Sequence, residues 1–219
     1  MWKWLALLVA LAQPAWADWR DEVIYFVMLD RFADGDATNN QGTDPADPLA
    51  FHGGDLRGLT ERLDYIQSLG ATAIWLTPIA LQVGPIDHDG RPFAGHHGYW
   101  AEDMTRIDPR YGTEDDLRAL TEAAHARGIK VLLDVVYNHM GYDSSLVAAR
   151  PEWFRIGDDC GGDDVTQCLA GLPDFRTDRE DVRRYLFDAH IGLADRTGLD
   201  GFRLDTYKHV ELDFWPAQR

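Results

Sequence analysis

Along this chain, runs of apolar, β-branched and aromatic residues alternate with segments whose apolar positions recur every three or four residues. Val23 to Leu29 reads as a buried strand ending at Asp30. After a polar loop, Leu56, Leu59, Leu63, Ile66 and Leu69 share one helical face, with Gly70 as the stop. Ala73 to Leu76 is a short strand closed by Thr77-Pro78, and a long loop bearing Gly and His follows it. Thr113 and Asp116 form a capping-box variant that opens a helix through Leu117, Leu120 and Ala124, ended by Gly128. Lys130 to Val136 is the clearest buried strand. Thr177 and Glu180 predict a second capping box ahead of Val182, Tyr185, Leu186, Ala189 and Leu193, and Gly201 to Leu204 is a last short strand.

Strand–helix repetition of this kind implies parallel strands joined by right-handed crossovers. The fold class expected is therefore α/β, with four strand–helix units that amount to half of a (β/α)8 barrel. A doubly wound sheet is the rival, but no Gly-x-Gly-x-x-Gly phosphate turn follows the first strand. From about His139 to Phe175 the rhythm breaks. That stretch is polar, rich in Gly, holds both cysteines and is too long for an ordinary loop, so it reads as a small inserted subdomain.

Composition narrows the partners. A net charge of −16 over 219 residues argues against nucleic acid or an anionic membrane, and it is compatible with a neutral ligand such as a sugar. Lys3, the apolar run Leu5 to Ala12 and Ala15-Trp16-Ala17 fit an export signal cleaved after Ala17; the run falls short of the ~20 residues a membrane anchor needs. The mature protein is then expected outside the cytoplasm, secreted or periplasmic. For Cys160 and Cys168, the only cysteines, a local bridge is favoured over two free thiols.

Four groups of residues carry possible chemistry. Asp134 interrupts an apolar strand, which fits a structural ion pair and an active-site carboxylate equally well. Arg203 and Asp205, two apart on a strand, point to one side; a cation beside a carboxylate keeps it ionised, as a nucleophile on a glycoside requires. Asp34, Asp36, Asn39 and Asn40 crowd one loop and Gly53-Gly54-Asp55 closes the next turn, an oxygen-only set that suits Ca²⁺ but equally makes turns. His97-Gly98-Tyr99-Trp100 could stack on a sugar, although an aromatic pair in this setting is more often core.

Taken together, DVVYNH at 134–139, GFRLDTYKH at 201–209, Leu172-Pro173-Asp174-Phe175 and HGYW at 97–100 resemble the motifs of glycoside hydrolase family 13, the α-amylase family. The similarity runs from about Val23 to Pro216. It implies a barrel in residues 18–138 and 177–219, with a domain B inserted after the third strand at residues 139–176. It further implies Asp205 as nucleophile with Arg203 beside it, Asp134 orienting them, and Tyr99, His97 and His139 against the sugar, with Lys208 and His209 shaping the acceptor side. Two Ca²⁺ sites are implied. One would use Asn138, Asp174, the His209 carbonyl and a further ligand near Gly161 to Val165. The other would use Asp34, Asp36, Asn39, Asn40, the Gly53 carbonyl and Asp55.

The activity implied is retaining endo-hydrolysis of α-1,4-glucosidic bonds in starch-type glucans, by a protein that is a monomer when intact. A cyclodextrin glucanotransferase or cyclomaltodextrinase is the near alternative, and a non-catalytic glycan-binding module the distant one. Phe175 stands where the family more often has Leu. The family's acid/base Glu follows a fifth strand and a further Asp the seventh, whereas this sequence ends at Arg219, so an inactive half-barrel is expected.

Overall fold

The computed structural model describes residues 19–217. The export signal expected at residues 1–17 lies outside the described residues. In chain order, β1 (Ile24–Val27) leads to two short helices, α1 (Leu56–Glu61) and α2 (Leu63–Ser68), then β2 (Ala73–Leu76). The strands β3 (Ala80–Gln82), β4 (Ile86–His88), β5 (Arg91–Phe93) and β6 (Ala101–Ile107) come next, followed by α3 (Glu114–His125) and β7 (Lys130–Val136). The chain then runs through α4 (Ser145–Ala149), β8 (Phe154–Arg155), β9 (Asp174–Phe175), α5 (Glu180–Thr197), β10 (Gly201–Asp205) and α6 (Phe214–Ala217).

The four predicted strands form one parallel sheet in the order β1-β2-β7-β10. In β7 the alternate residues Val131, Leu133 and Val135 bury one face, while Asp134 and Val136 are buried on the other. Leu56, Leu59, Leu63 and Ile66 from α1 and α2, Leu117 and Leu120 from α3, and Val182 and Leu186 from α5 are fully buried in the same core. Each contributes about 1.5–3 kcal/mol relative to exposure.

Several elements depart from expectation. The first helical stretch is two helices, broken at Arg62 (φ −105, ψ 8), and Leu69 falls beyond the second of them, 50% exposed. β1 is shorter than the apolar run, because Leu29–Arg31 turn into a 3-10 helix. The capping box at Thr113 and Asp116 forms as expected. The one at Thr177 does not: α5 is capped by Arg179 without a side-chain bond, and the Thr177 hydroxyl donates instead to Glu211.

The long loop after β2 is built from two hairpins, β3 with β6 and β4 with β5. Just beyond β6, the fully buried Asp108 carboxylate takes both Nε (2.9 Å) and Nη2 (2.6 Å) of Arg110 and the backbone N–H of Gln82 (3.1 Å). Between β7 and α5 the chain is irregular, pinned by the Cys160–Cys168 disulfide, by the β8–β9 pairing and by a buried Arg155–Asp174 ion pair at 2.8 Å. Among the described residues no helix is long and apolar enough to cross a membrane.

Candidate active site

Register decides what meets at the ends of the central strands. Arg203 of β10 pairs directly with Asp134 of β7, so their side chains leave the sheet on one side, and Asp205 follows two residues later at the C-terminal end of β10. One guanidinium nitrogen, Arg203 Nη1, then serves both acids: Asp205 Oδ1 at 2.7 Å, and Asp134 Oδ2 and Oδ1 at 3.0 and 3.2 Å. The same guanidinium lies 4.7 Å from the ring centre of Trp75.

Asp134 is fully satisfied. Besides Arg203 it accepts from Trp75 Nε1 (3.0 Å) and from the Tyr99 hydroxyl (2.8 Å). The ion pair expected of this residue is present, and Asp134 is the hub of the cluster. Burial pushes its carboxyl above the ordinary range, against the pull of the Tyr99 bond and of Arg203. The Tyr99 phenol is raised as well, by its own burial and by the Asp134 charge, so it remains a hydrogen-bond donor at neutral pH. The two acids differ in access. The Asp134 side chain is 0% exposed and that of Asp205 19%, so a ligand can reach only the latter.

Tyr99 is half-buried and packs against the core, yet its hydroxyl turns to Asp134, so the HGYW segment serves both packing and site. His97 stacks on Tyr99 with ring centres 5.7 Å apart, and its Nδ1 accepts the Tyr99 backbone N–H at 3.0 Å. His139 Nε2 lies 3.3 Å from the Tyr99 carbonyl, while its Nδ1 faces the Asn138 amide at 3.3 Å. Burial lowers the pKa of both imidazoles to about 4, so they are neutral at pH 7. Lys208 stands apart, its ammonium 3.2 Å from Asp164 Oδ1, and the buried His209 ring turns to the Asp164 carbonyl at 2.5 Å.

Two oxygen-rich places were expected to hold a cation. In the first, one end of the Asn138 amide points at Asp174 Oδ1 (3.1 Å) and the His209 carbonyl (2.8 Å). With nitrogen at that end it donates to both; with oxygen there, three oxygens converge without a donor, a set that a hard cation satisfies. Of the Gly161 to Val165 stretch, Asp164 meets the His209 ring through its carbonyl, while its side chain turns to Lys208 and Gln167. In the second, Asp55 caps α1 and accepts from the backbone of Gly35, Asp36 and Gly58 and from the Asn39 amide, while Asn40 donates to Asp34. That leaves the buried Oδ1 atoms of Asn39 and Asn40 without a partner, and Gly53 packs so closely that a Cβ there would meet Asn40 Oδ1 at 2.4 Å. Among the described residues no three His, Cys, Asp or Glu side chains gather as metal ligands, so a cation at either place would have to rest largely on amide and carbonyl oxygens.

Sequence reasoning missed Trp75. The signal was an aromatic with an N–H donor inside an otherwise aliphatic strand, only partly buried where its neighbours are fully so.

The parallel sheet is a fold shared with solved α-amylases. The family profile "Alpha amylase, catalytic domain" matches residues 26–152, more than half of the chain, and the chain belongs to that family. The periplasmic α-amylase of Escherichia coli K12 is 32% identical over 90% of this chain and 42% of its own length. The cyclomaltodextrin glucanotransferase of Klebsiella oxytoca is 35% identical over 94% of this chain and 36% of its own. Among solved structures, an Anoxybacillus α-amylase superposes with a TM-score of 0.83 at 41% identity, covering 92% of this chain and 44% of that one. The α-amylase of Geobacillus thermoleovorans, complexed with acarbose, gives 0.80 at 39% identity with the same coverage. The chain spans less than half the length of these relatives.

Proposed function

We propose that this chain carries the nucleophile-bearing part of the active site of a retaining hydrolase that cleaves α-1,4-glucosidic bonds within starch-type glucans. The observation that supports it is the shared arginine. Arg203 donates to the accessible Asp205 at 2.7 Å while Asp134, fixed from three directions, fixes Arg203. In the retaining reaction Asp205 attacks the anomeric carbon, forming a glycosyl ester as the glycosidic C–O bond breaks. A second carboxyl group ~5–5.5 Å away protonates the departing oxygen and then activates the water that hydrolyses the ester. The resemblance assigns that group to a strand following β10. Tyr99 offers its ring to the sugar, with His97 stacked behind it. His139, held beside Tyr99 by its 3.3 Å contact to the Tyr99 carbonyl, is assigned to the same sugar subsite.

Residues 139–176 are assigned to domain B, inserted after the third barrel strand, and residues 18–138 and 177–219 to the barrel. One Ca²⁺ is assigned to Asn138, Asp174 and the His209 carbonyl with a further ligand from the Gly161 to Val165 stretch, and a second to the loop of Asp34, Asp36, Asn39, Asn40, the Gly53 carbonyl and Asp55, where the carboxylates do not gather and the amide and carbonyl oxygens would carry the site. The orphaned amide oxygens of Asn39 and Asn40 favour the latter. Each ion would tie loops to the barrel as a hard cation held by oxygens. An export route to the periplasm or beyond is supported by the Escherichia coli relative and by the disulfide. A glucanotransferase acting through the same nucleophile is the second reading, favoured by the Klebsiella oxytoca relative.

The test is NMR of maltopentaose turnover, with the chain alone and with the chain joined to the C-terminal part of a family barrel. The α-anomer of the new reducing end should form first; β-anomer first would sink the mechanism. Separately, chelation should lower the melting temperature and added Ca²⁺ restore it, since ~100 Kd of ligand stabilises by about 2.7 kcal/mol. An unchanged melting curve after verified metal removal would remove both ions.

A further inference from the structure

Gln82 lies outside the carboxylate cluster and in none of the motifs that brought the family to light. It is buried, 4% exposed, at the end of β3. The pairing register between β3 and β6 shifts on both sides of Leu81, the kind of irregularity that re-aims a side chain out of the regular alternation. The re-aimed amide is used completely. Its Oε1 accepts the Trp100 backbone N–H at 2.8 Å, and its Nε2 donates to the Gly98 carbonyl at 3.0 Å and to the Ala80 carbonyl at 2.8 Å.

Gly98 and Trp100 are the two neighbours of Tyr99. One side chain therefore grips the peptides on both sides of the residue whose hydroxyl reaches Asp134. The grip is needed because the backbone there is not one the sequence would adopt unaided. Gly98 has φ +90, and a Cβ at that position would meet the Pro78 carbonyl oxygen at 2.2 Å. Gln82 is itself anchored, since its own N–H donates to Asp108, which Arg110 closes from the other side. A continuous chain of bonds runs from Arg110 through Asp108, Gln82 and the 98–100 turn to Tyr99 and Asp134.

We propose that Gln82 is a positioning residue for sugar binding: it fixes the 98–100 turn so that the Tyr99 ring faces the bound glucose unit while its hydroxyl stays on Asp134. The inference rests on the proposed placement of Tyr99 against the sugar. Replacing Gln82 by Met keeps the length and removes all three bonds, freeing the turn. Replacing it by Glu keeps the acceptor for Trp100 but sets a carboxylate oxygen against the Gly98 and Ala80 carbonyls; protonation returns one donor.

The experiment is calorimetric titration with maltotetraose of the wild-type chain, Gln82→Met, Tyr99→Ala and the double variant, well below the lowest melting temperature. Gln82→Met should weaken binding about tenfold. In the Tyr99→Ala background the same change should add nothing, because its effect passes through Tyr99. Additive losses, or Gln82→Met binding like wild type, would overturn the positioning role and leave the sugar site standing. Tyr99→Ala binding like wild type, or no binding by the wild type, would instead overturn the sugar placement and this inference with it. Should Gln82→Met fail to fold, Gln82→Glu decides. Its affinity relative to wild type at the same pH should recover as the pH falls and the new carboxyl protonates; a ratio flat with pH counts against the proposal.

Discussion

Asp108 and Arg110 stand two residues apart, as do Arg203 and Asp205, and each pair joins a guanidinium to a carboxylate. The first pair is closed. Arg110 meets Asp108 with two nitrogens, Gln82 takes up further acceptor capacity, and the guanidinium covers the Phe51 ring at 3.8 Å. The second pair is open. Arg203 spends a single nitrogen on two acids, and Asp205 keeps an accessible face. Identical residue types at identical spacing thus give a structural rivet in one place and a chemically available carboxylate in the other. Register makes the difference: β10 lies beside β7 so that Asp134 competes for Arg203, whereas Asp108 has its arginine to itself.

The contrast can be broken in order of expected effect, with turnover assayed in the completed barrel. Asp205→Asn should lower turnover by at least about 10⁴-fold while moving the unfolding midpoint little; near-normal activity would remove the nucleophile assignment. Arg203→Lys should cost about 10²-fold in turnover, because a point charge cannot both bridge the acids and lie over Trp75. Arg110→Met should reverse the pattern. It leaves Asp108 buried without its ionic partner at a cost of about 3 kcal/mol in urea denaturation, with any loss in the folded protein falling on KM through the loosened Gln82 anchor and kcat staying close to wild type. If Arg110→Met and Arg203→Lys gave the same profile, the distinction between closed and open pairs would fail.

The smallest effect concerns a buried group with no ionic partner. Burial lowers the His190 pKa from 6.5 to about 4, against its bond to the Val136 backbone. As pH falls from 6.5 toward 4 the unfolded chain takes up the proton while the folded chain refuses it. Stability contributed by the neutral ring is therefore complete above 6.5 and lost across that window, at most about 1.4 kcal/mol per pH unit. His190→Gln should flatten the fall in unfolding free energy, read from urea denaturation between pH 6.5 and 4.5, by about 2 kcal/mol; an unchanged slope would show that the proton enters without cost.

The parallel sheet was legible because buried strands leave unbroken apolar runs, and the helix at Thr113 because its cap is local. What stayed hidden depends on distant partners. Thr177 has the letters of a capping box but finds Glu211, 34 positions on, so its helix starts without it. The break at Arg62 hides inside a flawless apolar period. The hairpins β3–β6 and β4–β5 are too short for periodicity to declare, and from residue types alone Tyr99 belonged to the core. Of the site, Asp134, Arg203 and Asp205 could be named in advance, since charge in an apolar strand is conspicuous. Trp75 and Gln82 could not, because their value lies in what stands opposite.

A single nitrogen answering two acids also limits how this mouth can change over time. Alter either acid, and the other feels a redirected arginine; alter the arginine, and both acids lose their common reference. Trp75 and Tyr99 are drawn into the same bargain through Asp134. Variation here should therefore be tolerated mainly as coordinated sets, and a graft into another scaffold should move all five side chains together.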